Sequence, residues 1–178
     1  MNTFRIQVLD KVPTFTAKTV TGEEININQF KGKKVHLAFH RYASCPICNL
    51  TIRAFQKRYQ DLKQAGIVYL PVFHSTPEKM RSYYPELPKF QIITDPDMKL
   101  YAMFGVKSSW MGYLSPRSGI NLLKSFLTDF KKRLDVDGET STMPADFLID
   151  EKGKVRAFKH GSFIGDSWSV DDVLKYAY

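Results

Sequence analysis

The stretch KVHLAFHRYASCPIC, residues 34–48, holds both cysteines of the chain and joins two predicted elements. Apolar residues at every second position predict a largely buried strand over residues 34–40. A helix should follow, because Ser44 can cap it and Pro46 suits a first turn, where a missing N–H costs nothing. Apolar residues then recur at helical spacing up to a stop at Gly66: Leu50, Ala54, Phe55, Tyr59, Leu62 and Ala65. The first cysteine, Cys45, is therefore expected at a strand-to-helix junction.

This position predicts a reactive thiol. The N-terminus of a helix carries partial positive charge and free N–H groups, which stabilise a thiolate. The pKa of Cys45 should therefore fall below the value of about 8.5 for a free cysteine. Arg41 and His40 precede it and are expected to add positive potential. Cys48 lies one helical turn further on, where it can attack a bond formed at Cys45.

Two other interpretations of the cysteine pair stay open. One is a structural zinc site, which usually takes four ligands, although the chain has no second cysteine pair. Its histidines, at positions 36, 40, 74 and 160, show no H-x3–5-H spacing downstream of the pair. The other interpretation is a pair of inert buried cysteines. A permanent disulfide is disfavoured, because closing so short a loop removes little entropy from the unfolded chain.

Composition and length predict one globular domain over residues 1–178, with 43% hydrophobic and 25% charged residues. The formal net charge of +8 favours acidic partners in general. The basic residues are spread along the chain and form no nucleic-acid-binding motif, so no nucleic acid is expected. The sequence contains no run of 18 apolar residues, so no membrane span is expected. The first residues lack the apolar core of a secretory signal, so we expect a cytoplasmic protein, in a compartment that keeps thiols reduced.

The remaining elements predict a mixed sheet with helices on both faces. Turn signals at Thr21-Gly22 and Gly32 separate short extended pieces near the N-terminus. An inserted loop-helix segment is expected at about residues 108–138. Asp146 and Asp150 are expected at a turn and a strand end. Two further strands are predicted over residues 66–73 and 90–95, and a hairpin over 145–160. The further predicted helices are one from Ser75, a short one ending at Gly105 and a closing helix over 169–178.

Four segments carry a family resemblance. They are VPTFTAKTVTGEEININQFKGKKVHLAF (12–39), the CPIC stretch, IITDPDMKLYAMFGV (92–106) and MPADFLIDEKGKVRAFKHGSFIGD (143–166). With them the chain resembles the peroxiredoxin-like (AhpC/TSA-type) branch of the thioredoxin-fold superfamily over nearly its whole length. The resemblance implies a thioredoxin-like α/β fold, a central mixed β-sheet flanked by α-helices.

The resemblance also implies roles for individual residues. Pro144, after Met143, matches the proline that in the thioredoxin fold has a cis peptide and faces the cysteines. These two residues are expected to shape the docking surface for substrate or partner. The usual peroxiredoxin pattern P-x-x-x-T-x-x-C is not kept, because Ala38 stands at the proline position and Tyr42 at the threonine position. The pattern that remains is R-x-x-x-C-P-x-C, with Arg41 as its arginine.

The predicted function is that of a thiol-dependent redox enzyme. Cys45 attacks a peroxide, giving a sulfenic acid, or a disulfide, giving a mixed disulfide, and Cys48 resolves either product. A thioredoxin-type protein or glutathione restores the dithiol, and no metal or organic cofactor is required. A homodimer is compatible with the sequence.

Alternatives to this function are a thioredoxin-like thiol-disulfide oxidoreductase without peroxidase activity and a non-enzymatic redox-sensing or binding module. The binding module would use residues 108–138 as its contact surface. His74, at the end of the strand 66–73, has two interpretations: a proton relay near Cys45, or an exposed histidine that begins a turn.

Overall fold

The structure is a computed structural model that describes residues 6–109, 136 and 138–177. Seven strands form one sheet in the order β2-β1-β5-β4-β3-β6-β7. Their bounds are β1 Thr16–Thr19, β2 Glu24–Asn26, β3 Lys34–Phe39, β4 Ile67–Phe73, β5 Ile93–Thr94, β6 Ala145–Ile149 and β7 Val155–His160. The neighbours β3, β4 and β5 run parallel, whereas β1 and β6 pair antiparallel to this set. The predicted mixed sheet is confirmed.

Helices lie along both faces of this sheet. They are α1 Pro46–Lys57, α2 Tyr59–Gln64, α3 Pro77–Tyr83, α4 Lys99–Met103 and α5 Val170–Ala177, with a 3₁₀ helix at Ile27–Phe30. Within the ranges described, no helix is long and apolar enough to cross a membrane. The predicted segment at 108–138 lies outside the described residues apart from its ends, so the insertion and the single domain stay predictions.

Strand β3 separates two hydrophobic cores because its side chains alternate between the faces of the sheet. Leu37 and Phe39 belong to the core that also holds residues of α4, whereas Ala38 belongs to the other. This second core contains both cysteines and residues from α1, α2, α3 and α5. Every residue of β3 after Lys34 is buried. The buried strand β3 therefore leads directly to the segment that holds the cysteines.

The helix predicted from Ser44 to Gly66 is in fact two helices. Its first part begins one residue later than expected, because Cys45 rather than Ser44 is the N-cap of α1, and Pro46 opens the helix. Arg58 leaves the helical conformation (φ −107°, ψ 22°) and separates α1 from α2. The predicted stop at Gly66 is correct, and its φ of +69° is one that glycine adopts readily.

The strand predicted over residues 90–95 is shorter than expected. Only Ile93 and Thr94 pair with β4 and β1. The carboxylate of Asp95 then accepts hydrogen bonds from the backbone N–H groups of Lys99, Leu100 and Tyr101. Those bonds turn the chain into α4, so the extended segment ends there.

Asp146 is buried, and the expectation that it belongs to a turn is wrong. It lies within β6, opposite Ala38 of β3, and is 1% exposed. One carboxylate oxygen accepts a hydrogen bond from His36 Nε2 at 2.9 Å, and the other accepts the backbone N–H of Trp168 at 2.9 Å. Asp146 therefore ties the sheet to the segment that leads into α5. Asp150 directly follows the last residue of β6, at the predicted strand end, and its carboxylate accepts the backbone N–H groups of Lys152 and Lys154.

Replacing Asp146 should destabilise the fold strongly. Asp146→Ala leaves two buried donors without an acceptor, and we expect a loss of roughly 2 to 5 kcal/mol in the free energy of unfolding. Asp171→Ala, which removes a mostly exposed partner of Arg58, is the control and should cost much less. Urea unfolding of both variants measures the difference. Equal losses would contradict the role of Asp146.

Candidate active site

A six-residue connection, 40–45, carries the chain from β3 to the cysteines. The backbone N–H of His40 still bonds to Val72 of β4 at 2.9 Å. The N–H of Ala43 then donates to the Ser75 hydroxyl at 2.7 Å, and the N–H of Cys45 donates to the carbonyl of Tyr42 at 3.0 Å. The end of β4 and Ser75 beyond it therefore hold the connection, and Cys45 is placed at the start of α1.

Several hydrogen-bond donors surround the sulfur of Cys45. As the N-cap of α1, it accepts the backbone N–H of Cys48 at 3.4 Å. The Cys48 thiol donates to it at 2.7 Å, and Nη1 of Arg41 lies 3.9 Å away. Cys45 itself is 0% exposed. The structure thus brings together the three residues that the sequence marks as catalytic candidates.

These contacts lower the pKa of Cys45 to about 7. Burial acts in the opposite direction and is the largest single influence. The hydrogen bond from the Cys48 thiol, the charge of Arg41 and the N–H groups of Cys48 and Ile47 together outweigh it. Burial, the hydrogen bond to Cys45 and the charge of Cys45 raise the pKa of Cys48. The pair is therefore asymmetric: Cys45 ionises first and Cys48 keeps its proton.

Arg41 is buried beside this sulfur and is 5% exposed. Its Nη2 donates to the main-chain carbonyl of Thr140 at 2.6 Å and to the Tyr42 hydroxyl at 3.4 Å. The guanidinium carbon also lies 5.0 Å from the centre of the Tyr42 ring. Contacts from two directions thus hold the charge in place. Nothing in the sequence points to Thr140, because the group that binds Arg41 is a backbone carbonyl.

The two histidines nearest the site differ from expectation. His40 adds no positive charge, because burial, with a smaller contribution from His36, lowers its pKa to about 3. Its Nε2 instead pairs with the Tyr69 hydroxyl at 3.0 Å. His74 is 4% exposed, so the expectation of an exposed turn histidine is wrong. Its ring packs near Tyr101, and burial lowers its pKa to about 4, so it is neutral at pH 7.

Met143 and Pro144 are both buried. Met143 is 4% exposed and shares the core that contains both cysteines. Pro144 packs against Gly161, whose N–H donates to the Pro144 carbonyl at 2.8 Å. The expected cis peptide before Pro144 is wrong, since the peptide bonds of the described residues are all trans.

Two polar side chains complete the surroundings of the cysteines. The Asn49 amide donates to the carbonyls of Ala43 and Cys45, at 2.9 and 2.8 Å, and fastens α1 to the connection that precedes it. The hydroxyl of Tyr84 is buried and has no hydrogen-bond partner among the residues described. Sequence reasoning missed both. Their helical or turn positions carry no signal that would distinguish them from surface polar residues.

A cavity of about 350 Å³ opens beside the first turns of α1. Ser44 and Pro46, which flank Cys45, form one part of its wall, and Tyr83, Tyr84 and Pro85 form another. In the described part of the chain, no three histidine, cysteine or acidic side chains are grouped as metal ligands would be. The chemistry of the arrangement is therefore that of an acidified thiol with a second thiol in contact.

Comparisons with known proteins agree with this geometry. Residues 8–158 match the model of the AhpC/TSA family. Peroxiredoxin Bcp of Escherichia coli (strain K12) is 30% identical over 141 residues, which covers 78% of this chain and 85% of that protein. Chloroplastic peroxiredoxin Q of Gentiana triflora is 28% identical over 121 residues, 64% of this chain and 55% of that protein.

Solved structures share the fold at low sequence identity. Peroxidoxin BcpB from Mycobacterium tuberculosis superposes with a TM-score of 0.71 at 16% identity, covering 97% of each chain. The reduced 2-Cys peroxiredoxin of Plasmodium vivax gives 0.71 at 18% identity, covering 96% of this chain and 79% of that one. A putative thiol:disulfide interchange protein DsbE from Chlorobium tepidum gives 0.65 at 20% identity, covering 97% and 99%. The thioredoxin-like fold is confirmed.

Sequence, geometry and relatives therefore converge. The predicted thiol-dependent oxidoreductase function is confirmed, and the relatives do not favour the alternative of a module without catalysis. On the match of residues 8–158 and the 30% identity to a peroxiredoxin, this chain belongs to the AhpC/TSA family.

Proposed function

We propose that this chain reduces peroxides with the thiolate of Cys45 and forms a Cys45–Cys48 disulfide in each cycle. The observation that carries the proposal is the Cys45 sulfur, whose pKa is lowered by the hydrogen bond from the Cys48 thiol and by the nearby charge of Arg41. A thiolate, not a thiol, is the nucleophile, and a pKa of about 7 makes about half of Cys45 ionised at neutral pH. The peroxiredoxin relatives support a peroxide as the oxidant.

In the first step the Cys45 thiolate attacks one oxygen of the peroxide. An S–O bond forms, the O–O bond breaks, and the departing oxygen leaves as an alcohol or water after taking up a proton. Arg41, with Nη1 3.9 Å from the sulfur, is placed to stabilise both the thiolate and the negative charge that develops on the leaving oxygen. Cys45 becomes a sulfenic acid.

In the second step Cys48 attacks the sulfur of the Cys45 sulfenic acid. The S–S bond forms and the hydroxyl group leaves as water, taking the proton of the Cys48 thiol. Both sulfurs lie within one turn at the start of α1, so the resolving thiol is already in contact with Cys45. A thioredoxin-type protein or glutathione then supplies two electrons and two protons and restores the dithiol.

The burial of Cys45 favours a peroxide over a protein disulfide as the oxidant. A side chain that is 0% exposed is easier for a small molecule to reach than for a disulfide on a folded partner. A thiol-disulfide oxidoreductase without peroxidase activity is the second candidate, and the missing threonine and proline of the peroxiredoxin pattern favour it. Tyr42, at the threonine position, has its hydroxyl 3.4 Å from Arg41 Nη2, which supports retention of a hydroxyl in the peroxide pocket.

Other parts of the prediction stay proposals. Met143 and Pro144 are proposed to form the docking surface beside the cysteines, and Met143 shares their core. The reducing partner, the homodimer and the cytoplasmic location rest on the sequence and on the family. His74 is neutral at pH 7, as a proton acceptor would have to be.

The cysteine variants test the order of the two steps. Cys45→Ser should abolish the consumption of hydrogen peroxide by the reduced protein. Cys48→Ser should still consume one equivalent and stop with Cys45 as a sulfenic acid or, with added thiol, a mixed disulfide. Mass spectrometry of the Cys45 peptide identifies the product.

An insulin-type disulfide, offered to the same reduced wild-type protein, is the comparison substrate. Peroxide consumption with little disulfide reduction supports the proposal, and the reverse result supports the second candidate. If Cys48→Ser oxidised first at another residue, the assignment of Cys45 as the nucleophile would be wrong.

The pH dependence tests Arg41. In the wild-type protein the rate constant for peroxide reduction should rise with pH through a midpoint of about 7, because the thiolate population rises there. Arg41→Gln removes a positive charge that lowers the pKa, so the midpoint should move upward by roughly one pH unit or more. Stopped-flow kinetics across this range measures both profiles. Lys57→Gln, which removes an exposed positive charge in the last turn of α1, is the control, and an unchanged midpoint in Arg41→Gln would exclude the proposed role.

A further inference from the structure

A short segment before β6, Gly138–Thr142, crosses over Arg41, and we call it the strap. Its Thr140 carbonyl accepts the hydrogen bond from Arg41 Nη2 at 2.6 Å. The C-terminal end of the strap is held in place, because the N–H of Ser109 donates to the Ser141 carbonyl at 2.8 Å. Ser141 and Thr142 are 2% and 0% exposed. The strap is thus exposed at Gly138 and Glu139, buried at Ser141 and Thr142, and in contact with the site through Thr140.

The N-terminal end of the strap, Gly138, is packed against His74. Gly138 has a φ of +144°, and a Cβ atom there would lie 2.6 Å from Nδ1 of the His74 ring. That ring has little room to move, because it packs near the rings of Tyr42 and Tyr101, at 6.1 and 5.7 Å between centres. The backbone N–H of His74 also donates to the Arg41 carbonyl at 3.2 Å. Any side chain at position 138 would therefore push the strap outward.

We propose that Gly138 is a positioning residue for the peroxide reduction proposed above: its missing side chain lets the strap close on His74, so that the Thr140 carbonyl holds Arg41 at Cys45. Only the effect expected on catalysis rests on the proposed function. The packing that it describes concerns the ionisation of Cys45, which can be measured without any substrate.

The long side chain of Arg41 explains why such a holder is needed. A guanidinium group gains hydration when it swings toward water, and only fixed acceptors keep it beside a buried sulfur. The Thr140 carbonyl and the Tyr42 hydroxyl are two such acceptors on Nη2, and the first is much the shorter contact. If the strap moves outward to make room for a Cβ atom that would otherwise lie 2.6 Å from the His74 ring, this carbonyl moves with it.

Gly138→Ala tests the proposal, with Gly153→Ala as the matched control. Gly153 also has a positive φ, +77°, but its Cβ would meet nothing within 4 Å, and it lies in the β6–β7 turn. Both variants carry the cost of alanine at a positive φ. The ultraviolet absorbance of the thiolate, followed against pH in the reduced proteins, reports the ionisation of Cys45. Circular dichroism verifies that each variant is folded.

In Gly138→Ala we expect the midpoint of this titration to rise from about 7 to roughly 8, as when an opposite charge is moved away. The peroxide rate constant at pH 7 should then fall about fivefold, because the thiolate fraction falls from about one half to about one tenth. At pH values well above 8 the thiolate fractions of variant and wild type should be equal, so their rate constants should differ by less than they do at pH 7. Gly153→Ala should titrate as the wild type does.

A second variant separates the contact with His74 from general strain. His74→Ala combined with Gly138→Ala removes the ring that the new Cβ would meet, so its midpoint should return toward the value of His74→Ala alone. A folded Gly138→Ala protein with the wild-type midpoint would overturn the proposal, and so would a double variant that keeps the raised midpoint. A wild-type protein that titrates near 7 but consumes no peroxide would instead overturn the proposed function and leave the role of the strap standing.

Discussion

The burial of the Cys45 sulfur is the constraint around which the site is built. Removing a thiolate from water raises its pKa, and the low value of about 7 exists only because several donors converge on the same atom. The sulfur is both the N-cap of α1 and the predicted nucleophile, so one atom serves the helix and the chemistry. Any movement of α1 relative to the connection before it would disturb both functions together.

The positive charge at this sulfur depends on parts of the chain that are distant in sequence. Arg41 comes from the connection after β3, while its carbonyl partner, Thr140, precedes β6. The two strands are neighbours in the sheet, and their antiparallel pairing from Val35 to Phe39 brings the ends of both segments together. The sheet therefore acts as the frame that sets the distance between arginine and sulfur. The Asp146 carboxylate, bonded to His36 of β3, strengthens the same pair of strands.

The residues before Cys45 depart from the usual pattern of the family. The threonine and proline of the usual peroxiredoxin pattern are replaced by Tyr42 and Ala38. Ala38 lies in the middle of a strand, where it pairs with Pro71 on one side and Asp146 on the other. Tyr42 extends under the guanidinium group of Arg41. The environment of the thiolate is thus assembled mainly from an arginine, a helix start and a second cysteine.

Local patterns in the sequence were sufficient to predict the mixed sheet, the strand that leads to the cysteines, the proline at the start of α1 and the asymmetry between Cys45 and Cys48. These features depend on neighbours within a few residues, which is the range over which periodicity and helix capping act. Only the tertiary structure revealed the buried Asp146, the neutral state of His40, the burial of His74 and the carbonyl that holds Arg41. Each of these depends on groups far apart in the chain and on exclusion from water, and a backbone carbonyl is present at every position of a sequence. The candidate nucleophile could therefore be predicted from its own stretch of chain, whereas the packing that sets its pKa could not.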